Sequence, residues 1–387
     1  MAFKSSQPWY DQPAALRHLR LTAGYQAAGH GMAALAGFLW LYRSGLGISA
    51  VRWLIPAAVA LLWVHVVLRR YLDLNHPPGL VRLFPALGVP NTITLGRGCL
   101  TAMLAGFLGL PAPSPDFALP GLEWIPGLLY LTTAIADFVD GRVARQTGRE
   151  TRLGKRLDVE MDALGILVAG LLGIYWGRLP AVYLLAGLAY YGFRFGIRYR
   201  RRRCQTVRNL IPRPLARIAA GLNMGFLAVA LLPLFSTRIL KISAIFFMLP
   251  LVGGFIWDWL IVSDSLSHQL SQHLRKKLQT QTDRLLSILR VLVLTSGIPI
   301  LTALYRSQTI AVTLCVFLLW GMLVVGCLGR TAAIAAGLGL AHLITVNGSS
   351  MALWVTFCCT LTFIILGTGK FSLWQPEIKW LNAKSAI

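Results

Sequence analysis

The 387-residue chain is poor in acidic side chains, with 14 Asp and Glu against 37 Lys and Arg, and charged residues make up only 13% of it. Against 56% hydrophobic residues and a mean hydropathy of +0.63, so little charge excludes an ordinary soluble chain, in which about a quarter of residues are charged. Cysteine is also sparse. Cys99, Cys204, Cys315, Cys327, Cys358 and Cys359 show no metal-binding or dithiol spacing, so they read as small packing residues. The opening "MAFKSSQPWYDQPAALRHLR" is polar for too long, and lacks a small-residue cleavage site, to be a removable leader. The first helix is therefore expected to stay as an anchor.

What the chain has in abundance is apolar runs. A helix crosses the hydrocarbon with about 20 mostly apolar residues, and roughly twelve such segments can be marked. They centre on 24–42, 52–68, 94–110, 121–136, 160–177, 179–195, 214–234, 240–262, 288–304, 309–328, 331–346 and 351–368. The expected fold is all-α and polytopic. A net charge of +23 suits nucleic acid as a partner, but in a polytopic chain the bias of Lys and Arg to the cytosolic side is the better account, and no nucleic acid is expected. With both termini inside and twelve spans, only Arg43, Arg52, Arg178, Arg238, Lys241 and Arg306 of the 37 basic residues fall outside. The basic inner surface suits anionic lipid headgroups and anionic substrates.

Polar composition divides the chain into blocks. Residues 1–85 hold two helices and a connector that runs on as "LDLNHPPGLVRLFPALGVP"; residues 86–262 hold six helices and most of the polar chemistry. Residues 263–287, "SDSLSHQLSQHLRKKLQTQTDR" at their core, form the longest polar stretch, with Leu266, Leu270, Leu274 and Leu278 four apart. That spacing fits an amphipathic helix on the cytosolic membrane surface, and a plain solvated linker helix fits it equally. Residues 288–387 give four closely spaced helices with few charges.

Against this scarcity of acids, Asp137, Asp140, Glu150, Asp158, Glu160 and Asp162 crowd into the 26 residues "DFVDGRVARQTGRETRLGKRLDVEMD". Asp137 and Asp140 are three apart and Asp158 and Asp162 four apart, so each pair shares a helix face. A hairpin between Gly141 and Gly154 can bring the faces together. Four carboxylates in one small volume repel each other, and a divalent cation removes the repulsion. An all-oxygen ligand set without His or Cys favours Mg²⁺ or Mn²⁺ over zinc, with substrate phosphates completing the shell. Gly141 allows close approach of a bulky ligand, and Arg145 can fork onto a phosphate.

The segment fits the pattern DxxDGxxAR, eight residues, then GxxxDxxxD at Asp137, Asp140, Gly141, Ala144, Arg145, Gly154, Asp158 and Asp162. It resembles the CDP-alcohol phosphotransferase family of membrane enzymes that make phospholipid headgroups, and "PNTITLGR" at 90–97 resembles the segment preceding that family's first core helix. The resemblance covers residues 86–262. It implies a six-helix core, a homodimer and a pocket open to the cytosol. It implies transfer of a substituted phosphoryl group from a CDP-alcohol, most often CDP-diacylglycerol, to a small polar alcohol, releasing CMP. It implies Asp137, Asp140, Asp158 and Asp162 as ligands of two metal ions, with Asp162 also the base on the acceptor hydroxyl. Gly141, Ala144, Arg145 and Gly154 would line the CDP site. The compact loops of this sequence point to a bacterial inner membrane.

Arg194, Arg213 and Arg217 are candidate ligands for the diphosphate or for a phosphate on the acceptor. The helix after the arginine-rich loop opens "IPRPLARIAAGLN" where the family carries a Gly-Lys segment, so the acceptor stays open among glycerol 3-phosphate, an inositol phosphate and serine. Transfer from CDP-choline or CDP-ethanolamine to diacylglycerol is the enzymatic alternative. A cation transporter or a silent scaffold are the non-enzymatic ones. The ending "LGTGKFSLWQPE" after four helices loosely resembles the DoxX-type membrane proteins and implies a fused accessory domain.

Overall fold

The computed structural model describes residues 12–79, 82–113, 121–208, 210, 214–266, 268–307, 310–325, 329–347 and 350–367. Among these there is no strand, and twelve α-helices form. They are α1 (Gln12–Leu41), α2 (Ile48–Arg70), α3 (Gly88–Gly106), α4 (Ile125–Gln146), α5 (Arg152–Tyr175), α6 (Leu184–Arg202), α7 (Pro214–Leu231), α8 (Thr237–Val262), α9 (His268–Ser307), α10 (Ile310–Val325), α11 (Gly329–Asn347) and α12 (Met351–Leu366). Among the described residues, five stretches are long and apolar enough to cross a membrane alone: Ile48–Arg70, Gly88–Gly109, Leu122–Gln146, Thr237–Val262 and Lys277–Thr302. Shorter apolar helices cover Ala216–Leu231, Val316–Val325 and Met351–Leu366. The chain is a polytopic membrane protein.

Each apolar run corresponds to one helix, but the helices overrun the runs where capping chemistry extends them. α5 starts at Arg152, because the Thr151 hydroxyl accepts from the Gly154 backbone N–H at 2.9 Å and so satisfies a donor that the helix itself leaves open. Residues 268–287 of the polar stretch and the span after them form one 40-residue helix, α9 (His268–Ser307). No glycine or proline breaks the helix between His268 and Ser296.

By packing, the chain gathers into two compact units, 1–188 with 224–233 and 189–223 with 234–387. Helix α3 is central to the first unit and packs on α2, α4 and α5. Close approach there depends on a missing side chain: a Cβ on Gly98 would lie 2.6 Å from Met161 Sδ of α5 and 2.9 Å from Val64 of α2. In the second unit, α9 to α12 pack in sequence, with α12 returning to α9, as expected when short connections join antiparallel neighbours.

Candidate active site

The hairpin of α4 and α5 places both acidic pairs at one end of the first unit. Helix α4 ends at Gln146; a turn carries Gly148 at φ +61, and Thr151 caps α5. The two helices touch each other little, and α3 packs extensively on both. The acidic faces therefore meet across α3, whereas the sequence pattern suggested a direct hairpin pairing. The physical reason is Arg97, whose side chain is fully buried on α3.

Arg97 reaches one oxygen of each of the four acids. Its Nη2 lies 2.7 Å from Asp137 Oδ1, and its Nη1 lies 2.9 Å from Asp140 Oδ2 and 3.0 Å from Asp158 Oδ1. Nη2 also donates to Asp162 Oδ1. A buried charge is tolerated only when paired and hydrogen-bonded; here the four carboxylates pair the Arg97 guanidinium, but one positive charge leaves most of their negative charge unbalanced. The fork of N–H donors suits this role as a lysine would not.

The four acids are not equivalent. Asp140 is the buried one, at 7% side-chain exposure, and its Oδ2 also accepts from Thr94 Oγ1 at 2.8 Å. Asp137, Asp158 and Asp162 are 34%, 45% and 26% exposed, and each offers a ligand oxygen within 4.8 Å of the others. An oxygen-only trio at this separation fits a hard divalent cation, and the cluster already holds a cationic group. Below it lies Tyr130, fully buried and two turns before Asp137 on α4. Its hydroxyl is 3.4 Å from the Cβ position of Gly165, one turn beyond Asp162, and makes no hydrogen bond among the described residues.

The glycines of the pattern divide by environment. Gly141 is half-buried, and a Cβ there would meet only the Arg145 guanidinium, 3.4 Å away. Ala144 is half-buried and Arg145 exposed at the end of α4. Gly154 has a packing role: its Cβ would sit 2.7 Å from Asn91 Oδ1 and 3.2 Å from Thr151 Oγ1. Arg194 belongs to the second unit, where its Nη1 donates to Tyr190 Oη at 3.2 Å and its guanidinium covers that ring. Arg217 is exposed on α7. Arg213 and the ending that begins "GKFSLWQPE" lie outside the described residues.

Sequence reasoning missed Arg97, Thr94 and Asn91 as parts of this site. The signal was present in "PNTITLGR", where Thr94 and Arg97 are three apart and share a face. An arginine in the middle of an apolar run is itself a functional marker.

Residues 87–256 match the family model described as CDP-alcohol phosphatidyltransferase. No match was found among the curated proteins or the solved structures.

Proposed function

We infer, from a central block of the CDP-alcohol phosphatidyltransferase family, that the chain transfers a phosphatidyl group from CDP-diacylglycerol to a small polar alcohol and releases CMP. The observation that carries this reading is the trio of Asp137, Asp158 and Asp162, each with a ligand oxygen within 4.8 Å of the others. A transferase of this family needs two things at one place, a divalent cation for the diphosphate and a base for the acceptor hydroxyl. The trio offers both.

In the proposed reaction, Asp137, Asp140, Asp158 and Asp162 would hold Mg²⁺ or Mn²⁺, with Asp140 also held by Thr94 and Arg97. When bound, such ions stabilise negative charge on both the attacking and the leaving oxygen. Asp162 accepts the acceptor's hydroxyl proton as its oxygen bonds to the lipid-bearing phosphorus. The bond from that phosphorus to the CMP phosphate oxygen breaks, and CMP leaves with the electron pair. Gly141 and Ala144 leave room along α4 for the nucleotide, and Arg145 forks onto its phosphates. The basic bias of the loops supports a site facing the cytosol, and the compact loops suit a bacterial inner membrane. A homodimer and the arginines 194, 213 and 217 as acceptor-phosphate ligands belong to the same reading.

CMP release by the purified protein, with Mg²⁺ or Mn²⁺, CDP-diacylglycerol and a panel of alcohols, tests it beside Asp162→Asn. Release that requires one alcohol and the metal, and that Asp162→Asn abolishes, is the expected result. Release only from CDP-choline or CDP-ethanolamine with diacylglycerol would reverse the orientation. No release from folded protein with any donor would return the cluster to the transporter or scaffold reading.

A further inference from the structure

The connector between α2 and α3 lies against the start of α5, and its bonds there are buried. Asn75 is fully buried. Its amide nitrogen donates to the carbonyls of Phe84 at 3.1 Å and Ala86 at 3.0 Å, and its backbone carbonyl accepts from Phe84 N–H at 2.8 Å. Its Oδ1 accepts from Asn91 Nδ2 at 3.3 Å, and the same nitrogen of Asn91 donates to Leu87 O at 2.7 Å and reaches Thr151 Oγ1 at 3.4 Å. Thr151 is the residue that caps α5. Next to it, the Arg152 backbone N–H donates to the carbonyl of His76 at 3.0 Å. A four-residue path, Asn75 to Asn91 to Thr151 to Gly154, thus joins the N-terminal extension to the first turn of the helix that carries Asp158 and Asp162.

A second tie fixes the rotation of that helix. Glu160 is fully buried, and its Oε1 pairs with Arg156 Nη2 at 3.3 Å. The same Arg156 nitrogen donates to Tyr71 Oη at 3.4 Å, and the guanidinium lies 5.1 Å from the Tyr71 ring centroid. Glu160 stands two residues from Asp158 and two from Asp162, which at roughly 100° per residue puts it on the opposite side of α5. The extension grips the back of α5 through Tyr71, and the two catalytic aspartates face forward to Arg97.

We propose that the N-terminal extension is a positioning element of the active site, acting through Asn75, which sets the height of α5, and through the Tyr71–Arg156–Glu160 contact, which sets its rotation. The proposal rests on the reading of the carboxylate cluster as a transfer site. Outer groups that orient metal-ligating side chains typically change metal affinity or activity by about 10- to 100-fold when removed. Asn75 lies outside the carboxylate cluster, so its effect is expected on kcat and on metal affinity.

The test uses the full-length protein and compares Asn75→Ala with Trp53→Phe. Trp53 is buried in the same extension and packs at Gly106 of α3, without a bond to α5. Mn²⁺ binding, followed by electron paramagnetic resonance, and kcat and KM for the CDP-alcohol are measured at a temperature where both variants are folded. The expected result for Asn75→Ala is a fall of about 10-fold or more in kcat and in Mn²⁺ affinity, with KM within about twofold of wild type. Trp53→Phe should leave all three near wild type. The double variant Asn75→Ala with Thr151→Ala should lose little more than the worse single variant, because residues in one network are not additive.

If Asn75→Ala fails to fold, Thr151→Val replaces it and should show the same pair of losses. Equal values for Asn75→Ala (or its replacement) and Trp53→Phe, or fully additive losses, would overturn the positioning role while leaving the transfer reading standing. A wild-type protein that neither binds Mn²⁺ nor releases CMP would instead sink the transfer reading and this inference with it.

Discussion

Helices α3 to α5 and helices α9 to α12 sit in the same kind of environment and solve it by opposite means. Around Arg97 the first group buries charge and sets one guanidinium against four carboxylates. The second group carries charge too, Arg290 on α9 and Arg330 on α11 among it, but it also joins its helices through neutral bonds. Among the described residues, Ser296 of α9 and Thr356 of α12 share a hydroxyl hydrogen bond at 2.7 Å, and Trp320 Nε1 of α10 donates to the Val293 carbonyl of α9 at 2.9 Å. Between these helices lies a small apolar cavity of about 50 Å³ bordered by Gly297, Trp320 and Leu340. On the proposed reading, a site for phosphate chemistry has to carry ionic cost, and the difference in polarity would separate the chemistry from the support within one chain.

The largest expected break in that contrast is Asp162→Asn. Losing the base should cut CMP release by about 10²- to 10⁴-fold, and chelation should reversibly remove activity from wild type.

Next is Arg97→Leu, read by thermal unfolding with EDTA and then with Mg²⁺. Without Arg97 the four carboxylates have no counter-charge, and breaking a buried pair costs about 3–5 kcal/mol. The variant should lose most stability in EDTA and recover more with Mg²⁺ than wild type does. An equal drop in both conditions would mean that Arg97 is mere packing.

In the apolar block, Gly297→Ala should be felt as crowding. Its Cβ position is 1.9 Å from Trp320 Nε1, so the indole has to move and give up its bond to Val293. Overpacking of this kind costs about 1–3 kcal/mol, with kcat unchanged. A change in kcat would show that the block does more than support. Smallest is Ser296→Ala, expected to cost about 0.6 kcal/mol, the average for hydrogen bonds between membrane helices.

Much of this contrast was legible in the sequence. Apolar runs located each helix, and the spacing of Asp137, Asp140, Asp158 and Asp162 announced a shared site, because both signals lie along one helix at a time. What crossed between helices was not legible. Arg97 stands 40 residues before Asp137, and no periodicity on α4 or α5 shows what a third helix inserts between them. Asn75 sits in a connector, where its side chain finds backbone carbonyls that only the folded loop presents. Gly154 reads as a ligand-site glycine and also proves to be the point where Asn91 comes close. The single α9 was hidden by composition, since the polar residues before 288 lower hydropathy without breaking a helix.

The most direct test of the central claim counts Mn²⁺ bound to wild type and to Asp158→Asn by electron paramagnetic resonance, with a CDP-alcohol present, beside CMP release from the same samples. The account predicts bound Mn²⁺ and CMP release in wild type, and loss of both in the variant. Equal Mn²⁺ in the two proteins, or undiminished release in EDTA, would contradict it.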